Sequence, residues 1–234
     1  MKSLAIIPAR GGSKRVPRKN IKQFSGIPII AWSIKAAISS RCFDKIIVST
    51  DDKEIADIAK SYGAKIPFIR PEDLADDYAK TGDVISHAIR YEESEGNDYD
   101  YACCIYPTAP FLKEESIQIG FEMIQKGLHN YVFSATSYAF PVQRGFSFDS
   151  NSGLQMLFPN HENTRSQDLS EIFHDAGQFY WAQSKTWIDD LPIFDKSSFP
   201  LILPRDEVID IDTEEDFKEA ELKFKLLKLK DFKD

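Results

Sequence analysis

The chain has 234 residues, carries a formal net charge of −8 and is 42% hydrophobic. This length suits one domain with its own core, and the negative charge disfavours nucleic-acid binding, which needs a basic face. No apolar run approaches the ~20 residues that span a bilayer, so we expect no membrane insertion. A predicted strand begins at Leu4, which leaves no room for a secretory signal, and Cys42, Cys103 and Cys104 are typical of free thiols. We therefore expect a cytoplasmic protein.

Short apolar runs alternate with amphipathic segments of helical length, which predicts an α/β fold with a mostly parallel sheet covered on both faces. The predicted strands, in chain order, are 4–7, 45–49, 66–69, 101–106, 131–137, 178–183 and 208–211. The predicted helices are 29–40, 51–62, 81–93, 113–126 and a C-terminal helix capped by Thr213.

The composition changes between residues 139 and 173, which are rich in Ser, Asn, Gln, Phe and Pro. Two runs typical of a hairpin, 146–148 and 154–157, are joined through Asn151-Ser152-Gly153. We interpret 139–173 as an arm inserted into the sheet domain. Its aromatic residues could pack on a second copy of the chain or fold over its own core, and composition does not decide between these alternatives.

The first predicted strand runs into a glycine loop that is crowded with cations. Gly11 and Gly12 let the backbone turn sharply and approach a ligand closely. Six basic residues follow one another without an acidic residue before Asp44, namely Arg10, Lys14, Arg15, Arg18, Lys19 and Lys22. A basic loop is most often a solvated turn, but this one interrupts an acidic chain and follows a strand, as a polyphosphate site does. Its spacing matches neither the P-loop nor the dinucleotide-binding fingerprint.

Two carboxylates near the C-terminus form the second candidate site. Asp210 and Asp212 alternate on a predicted strand, so both side chains are expected on one face. Hard oxygen ligands of this kind suit Mg²⁺, which is typically bound by one or two carboxylates, water and substrate phosphates. On spacing alone, a helix cap or an arginine partner explains the pair equally well.

The glycine loop, written IPARGGSKRVPRKN, resembles the opening motif of the CMP-N-acylneuraminate synthetase family. Further segments resemble the family in the same order along nearly the whole chain, namely Arg70-Pro71, YPTAP at 106–110 and IDIDT at 209–213. Together with HDAGQFYW at 174–181, YPTAP is most similar to the pseudaminic acid cytidylyltransferases of this family. The related enzymes that act on Kdo carry a different loop, closer to ARLASTRLPGK.

This resemblance implies a single domain over 1–234 with a Rossmann-like three-layer sandwich of the nucleotide-diphospho-sugar transferase type and an inserted dimerisation arm at 139–173. It implies a Mg²⁺-dependent homodimer that transfers CMP from CTP to the anomeric hydroxyl of a sialic-acid-like nonulosonic acid, with pseudaminic acid as the expected sugar. The same reaction on N-acetylneuraminic or legionaminic acid is one alternative. A catalytically silent nucleotide-binding module is another. Such a module is expected to have lost one of the two metal-binding carboxylates, whereas Asp210 and Asp212 are both present.

The site residues are expected in three groups. For the nucleotide they are Ala9, Arg10, Gly11, Gly12, Ser13, Lys14, Lys19, Asn20, Arg70 and Tyr106, with Arg10, Lys14 and Lys19 as catalytic cations on the phosphates. For the sugar they are Arg165, Asp175, Gln178 and Tyr180, and for the metal Asp210 and Asp212. Without the resemblance, Arg70 reads as a surface arginine, and 179–181 reads as core packing. Many relatives have Gln at the position of Tyr106, and the side-chain amide of Gln can form hydrogen bonds with the edge of the cytosine base.

Overall fold

A computed structural model describes residues 1–231, with side chains described for 1–228, so 232–234 of the predicted domain lie outside the described residues. The strands are β1 (Ser3–Pro8), β2 (Gln23–Phe24), β3 (Ile27–Pro28), β4 (Lys45–Ser49), β5 (Tyr101–Ile105), β6 (Tyr131–Ser137), β7 (Phe146–Asp149), β8 (Gly153–Met156), β9 (Phe173–Gln183) and β10 (Phe199–Ile202). The α-helices are α1 (Ile29–Ser40), α2 (Lys53–Ser61), α3 (Thr81–Ser94), α4 (Glu114–Ile124), α5 (Ser184–Ile188) and α6 (Glu214–Asp231). Among the described residues, none of the helices combines the length and the apolar character needed to cross a bilayer.

The central sheet has six strands in the order β10-β6-β9-β5-β1-β4. β1 runs parallel to β4 and β5, and β10 runs parallel to β6, whereas β9 is antiparallel to both of its neighbours. Alternate residues of β1 enter separate cores, since Ile7 packs with α1 and α4 while Ile6 packs with α3 and α5. Helices therefore cover both faces, which confirms the predicted mostly parallel three-layer α/β fold.

The C-terminal helix brings the two ends of the chain together. Phe217 and Phe224 of α6 pack edge-on against Phe24 of β2, with ring centroids 5.6 and 5.3 Å apart. Thr213 and Asp216 cap the helix, because the Thr213 hydroxyl accepts the Asp216 amide and the Asp216 carboxylate accepts the Thr213 amide. This packing fixes the segment that precedes α6 beside the N-terminal loop.

Two of the predicted strands are absent from the described structure, and one strand of the central sheet was missed, as was the short pair of β2 and β3. In place of strand 66–69 there is only a bridge between Lys65 and Ile47, because Pro67 lacks an amide donor and Ile69 is 58% exposed. Residues 208–211 are irregular rather than a strand. The missed strand is β10, which contains Pro200 and lies at the sheet edge, where a proline is tolerated.

The predicted hairpin at 146–157 is confirmed as the antiparallel pair of β7 and β8. Gly153 adopts a left-handed conformation (φ 80°) at the start of β8, as the Asn-Ser-Gly turn requires. Hydrogen bonds within the arm stabilise the segment around this hairpin, since the Arg144 side chain donates to the carbonyls of Glu162 and Thr164. Several of its apolar side chains are exposed, among them Phe140 at 83% and Phe148 at 73%.

Candidate active site

A cleft of ≈ 530 Å³, here called the basic cleft, opens where β1 and β5 end. It is lined by most of the predicted nucleotide residues, namely Arg10, Ser13, Lys14, Lys19, Asn20, Arg70 and Tyr106. The carboxyl ends of neighbouring parallel strands meet at one sheet edge, which explains why residues so distant in sequence converge here. Ala9 is fully buried behind the cleft and donates its amide to the carbonyl of Ser49.

The glycine loop is anchored by two aspartates that follow β4. The Gly11 amide donates to the Asp51 carboxylate at 2.9 Å, so this amide is engaged by the chain itself. A Cβ at Gly11 would lie 2.9 Å from an oxygen of Asp52, which explains why glycine is needed there. Arg18, at a left-handed φ of 55°, pairs with Asp52. The sequence places these aspartates at the start of the predicted helix 51–62, and their position directly after a parallel strand was the signal for this second role.

Gly12 and Asn20 complete the loop in different ways. A Cβ at Gly12 would meet nothing within 4 Å, so the backbone is open to a ligand at this point. Asn20 is buried and donates its side-chain amide to the carbonyl of Arg10 at 2.9 Å. In this structure Asn20 therefore braces the loop from within, while still lining the basic cleft.

Asp77 lies against two of the predicted phosphate-binding cations. Its carboxylate is 2.8 Å from Arg10 and also forms an ion pair with Lys14. Arg10 donates in addition to the carbonyl of Asp76. The hydrogen bond from Lys14, reinforced by the charge of Arg10, lowers the pKa of Asp77. An anionic group is therefore already placed where these cations would meet a phosphate.

Arg70, predicted to bind the nucleotide, is a buried cation at the wall of the basic cleft and is 5% exposed, which rules out the alternative of a surface arginine. Its Nε donates to the Ser49 hydroxyl at 3.0 Å, and Nη2 donates to the Ser49 carbonyl. Among the described residues no carboxylate pairs with it directly. Burial lowers the pKa of Arg70 to about 10, although the charge of Asp51 opposes this shift. A buried guanidinium without a paired carboxylate is suited to an anionic or carbonyl ligand.

The two predicted metal carboxylates lie beside the glycine loop. Asp212 is 2.7 Å from Arg15 and 3.7 Å from Lys19, which also donates to the Ile211 carbonyl at 2.6 Å. Burial and then the charge of Asp212 raise the pKa of Asp210, with Lys19 opposing. The cationic loop and the acidic pair thus lie side by side, although the pair is on an irregular segment instead of the predicted strand.

The donor set of this acidic pair fits Mg²⁺ better than a metal held only by protein. Within the described part of the chain, no group of three or more His, Cys, Asp or Glu side chains could hold a metal ion. Two neighbouring carboxylates repel one another, as the raised pKa of Asp210 indicates, and a cation relieves that repulsion. Mg²⁺ commonly accepts one or two carboxylates and takes its other ligands from water and phosphates.

A second cleft of ≈ 440 Å³, here called the aromatic cleft, shares Thr81 and Tyr106 with the basic cleft. It contains Asp175 and Tyr180 of the predicted sugar residues. The Tyr180 hydroxyl donates to Asp175 at 2.5 Å, and the Tyr106 ring lies 5.4 Å from the Tyr180 ring. The Tyr106 hydroxyl is 3.3 Å from the Thr81 hydroxyl. Tyr106 therefore forms the boundary between the two clefts.

The other two predicted sugar residues are not among those that line the aromatic cleft. Gln178 is 4% exposed, and its side chain donates to the Glu207 carbonyl at 2.6 Å, which positions the segment that carries Asp210. Arg165 is exposed within the arm and lines neither the basic nor the aromatic cleft. The segment 187–194 forms one wall of the aromatic cleft and was not predicted, because its residues look like an ordinary helix end and loop.

Comparison with known proteins identifies the family. A pseudaminic acid cytidylyltransferase of Campylobacter jejuni (serotype O:2) is 43% identical over 97% of both chains. A CMP-N,N'-diacetyllegionaminic acid synthase of Legionella pneumophila is 38% identical over 91% of this chain and 92% of its own. The solved structure of a CMP:2-keto-3-deoxy-manno-octonic acid synthetase complexed with CTP shares the fold (TM-score 0.67, 15% identity, 95% and 98% coverage). The sequence profile described as cytidylyltransferase matches residues 4–228, and the chain therefore belongs to the cytidylyltransferase family.

Proposed function

We propose that this protein transfers CMP from CTP to the anomeric hydroxyl of a nonulosonic acid, with pseudaminic acid as its sugar, and releases pyrophosphate. The observation that carries the proposal is the pair of clefts that share Tyr106 and Thr81. A nucleotide in the basic cleft and a sugar in the aromatic cleft would meet at this boundary. The 43% identity to a pseudaminic acid cytidylyltransferase over nearly the full length of both chains supports the choice of sugar.

In this reaction the chain acts by positioning and by electrostatic stabilisation. The sugar hydroxyl attacks the α-phosphorus, and negative charge grows on the departing pyrophosphate. Arg10, Lys14 and Lys19 line the basic cleft and would hold and neutralise these phosphates, with Ser13 as a neutral donor. Arg70 is oriented by Ser49 and would bind a carbonyl or phosphate oxygen of the nucleotide.

We assign Mg²⁺ to Asp210 and Asp212, whose place beside Lys19 supports contact with the same phosphates. When bound, the ion would neutralise phosphate charge and orient the triphosphate. The residues Arg15 and Lys19, which pair with Asp212 in this structure, would then be released toward the phosphates.

The function is tested by a pyrophosphate-release screen that crosses four nucleoside triphosphates with several nonulosonic acids. We expect release only with CTP, only when a sugar is present, and with the highest kcat/KM for pseudaminic acid. A preference for legionaminic acid would favour the reaction of the Legionella relative, which is 38% identical. Binding of CTP without release for any sugar would support the silent nucleotide-binding module instead.

Asp77→Asn is expected to lower the KM for CTP about two- to fivefold, since exposed ion pairs such as Asp77 with Arg10 and Lys14 contribute little and are replaced by the triphosphate. The measurement is the KM for CTP at several salt concentrations, because the advantage over the wild type should shrink as salt screens the pair. Asp73→Asn is the matched control, an exposed acidic residue of the same segment outside the basic cleft. A higher KM in Asp77→Asn would show that Asp77 instead positions the cations for the nucleotide.

We further assign a single domain, a cytoplasmic location and a homodimer. Three free cysteines, two of them buried, are consistent with a reducing compartment. The arm supports the dimer, since Phe140, Phe148 and Leu154 are 83%, 73% and 59% exposed, and large exposed apolar patches mark interaction surfaces. A second copy would also offer Arg165 a route to a sugar site that it does not reach within its own chain.

A further inference from the structure

The aromatic cleft contains a carboxylate whose orientation is fixed by the chain. One oxygen of Asp175 accepts the Gly177 amide at 2.9 Å, and the other accepts the Tyr180 hydroxyl at 2.5 Å. Gly177 adopts a left-handed φ of 61°, which turns its amide back onto the carboxylate. Burial, more than any neighbouring charge, raises the pKa of Tyr180, so the phenol stays protonated and remains a donor. An ionised carboxylate has about four acceptor positions, so each oxygen of Asp175 keeps capacity for a ligand.

The wall beside Asp175 is apolar. Leu191, Ile193 and Phe194 line the same cleft, and Phe194 is 68% exposed with its ring edge-on to Phe133 at 5.3 Å. A fixed acceptor next to an apolar wall is complementary to a group that joins a donor to a short apolar tail. An acylamino substituent has this form, since its N–H lies two bonds from the acyl methyl.

We infer that Asp175 is a specificity-determining residue of the sugar site, where its carboxylate accepts the N–H of an acylamino group whose acyl tail rests on the 191–194 wall. This inference rests on the proposed function. The charge of Asp175 would also orient the sugar. The substrate carboxylate is repelled by Asp175 and therefore points toward Tyr106 and the basic cleft, which places the adjacent anomeric hydroxyl at the boundary where the nucleotide would lie.

The test combines a protein change with a matched ligand change. Asp175→Asn keeps the size of the side chain and removes its charge, and two synthetic pseudaminic acid analogues each carry an azide in place of one acylamino group. For the wild type, we expect the analogue that lacks the recognised N–H to bind about tenfold more weakly than the parent sugar. Asp175→Asn should bind the parent sugar about tenfold more weakly and should no longer distinguish it from that analogue. The KM for CTP should stay within twofold.

Two further variants separate recognition from a structural effect. Tyr180→Phe removes the hydroxyl that orients Asp175, so it should weaken sugar binding in the same direction with a smaller change. Asp189→Asn makes the same chemical change outside the aromatic cleft, where Asp189 pairs with Lys185, and should leave sugar binding unchanged. If Asp175→Asn fails to fold, Tyr180→Phe carries the same comparison with both analogues.

Sugar affinity is measured by calorimetry, independently of turnover. Loss of affinity in Asp175→Asn that is equal for the parent sugar and both analogues would overturn the inference, as would no loss at all. Absence of pyrophosphate release by the wild type with every sugar would instead contradict the proposed function. In that event the calorimetric comparison still decides whether Asp175 recognises the acylamino group.

Discussion

Asp212→Asn is expected to reduce kcat for pyrophosphate release by on the order of 10³-fold, since a bound cation supplies several kcal/mol of charge stabilisation and each 1.36 kcal/mol is a factor of ten. Asp212 is one of two carboxylates beside the glycine loop, and its loss would leave Asp210 alone to hold the proposed Mg²⁺. The affinity for the cation should fall together with kcat. The measurement is kcat as a function of Mg²⁺ concentration, together with the activity of the wild type after chelation.

The fold should survive this change, because Asp212 is partly exposed and its side chain contacts Arg15 and Lys19 near the surface. The melting temperature should therefore stay close to that of the wild type. Asp206→Asn is the matched control, an exposed aspartate in the preceding turn that should retain full activity. Unchanged turnover in Asp212→Asn would remove the metal assignment and return the pair to its alternative role as partner of an arginine.

Most of the fold follows from local patterns in the sequence. The strands that were predicted within a few residues are those with continuous apolar runs, such as β1, whose two sets of alternate side chains fill two cores. The wrong predictions concern segments whose secondary structure depends on tertiary contacts. Residues 66–69 are apolar but include Pro67, and β10 includes Pro200 yet is stabilised by pairing with β6. No local signal in the sequence specifies such a pairing, because the two strands are far apart along the chain.

In the site, too, residues that share one loop could be predicted from the sequence, whereas contacts between distant parts of the chain could not. Arg10, Lys14 and Lys19 could be assigned to one cleft because they share a loop with a strong local pattern. Gln178 is predicted to bind sugar, and in this structure its side chain donates to the Glu207 carbonyl, a contact that a strand pattern cannot reveal. Asp77 was not predicted, since it reaches Arg10 across 67 positions of chain. Contacts of this range depend on how the loops pack.

Arg10→Ala is expected to raise the KM for CTP by about 100-fold, because a hydrogen-bonded charge pair with a phosphate contributes roughly 1.5–3 kcal/mol and the cleft also loses one unit of positive charge. The KM for the sugar should change less than threefold, since Arg10 lines the basic cleft and not the aromatic cleft. The side chain of Arg10 is 38% exposed, so its removal leaves no buried cavity and the fold should be retained.

The contrast between the two substrates is the decisive readout for Arg10→Ala. Both KM values are measured with the other substrate saturating, beside Arg90→Ala, an exposed arginine of α3 outside both clefts that should behave as the wild type. Equal effects on CTP and sugar would contradict the division of the site at Tyr106.

The double variant Arg10→Ala with Asp77→Asn tests whether the two residues act on the same nucleotide. Because Asp77 is proposed to act by competing for Arg10 and Lys14, its removal should improve CTP binding less once Arg10 is absent.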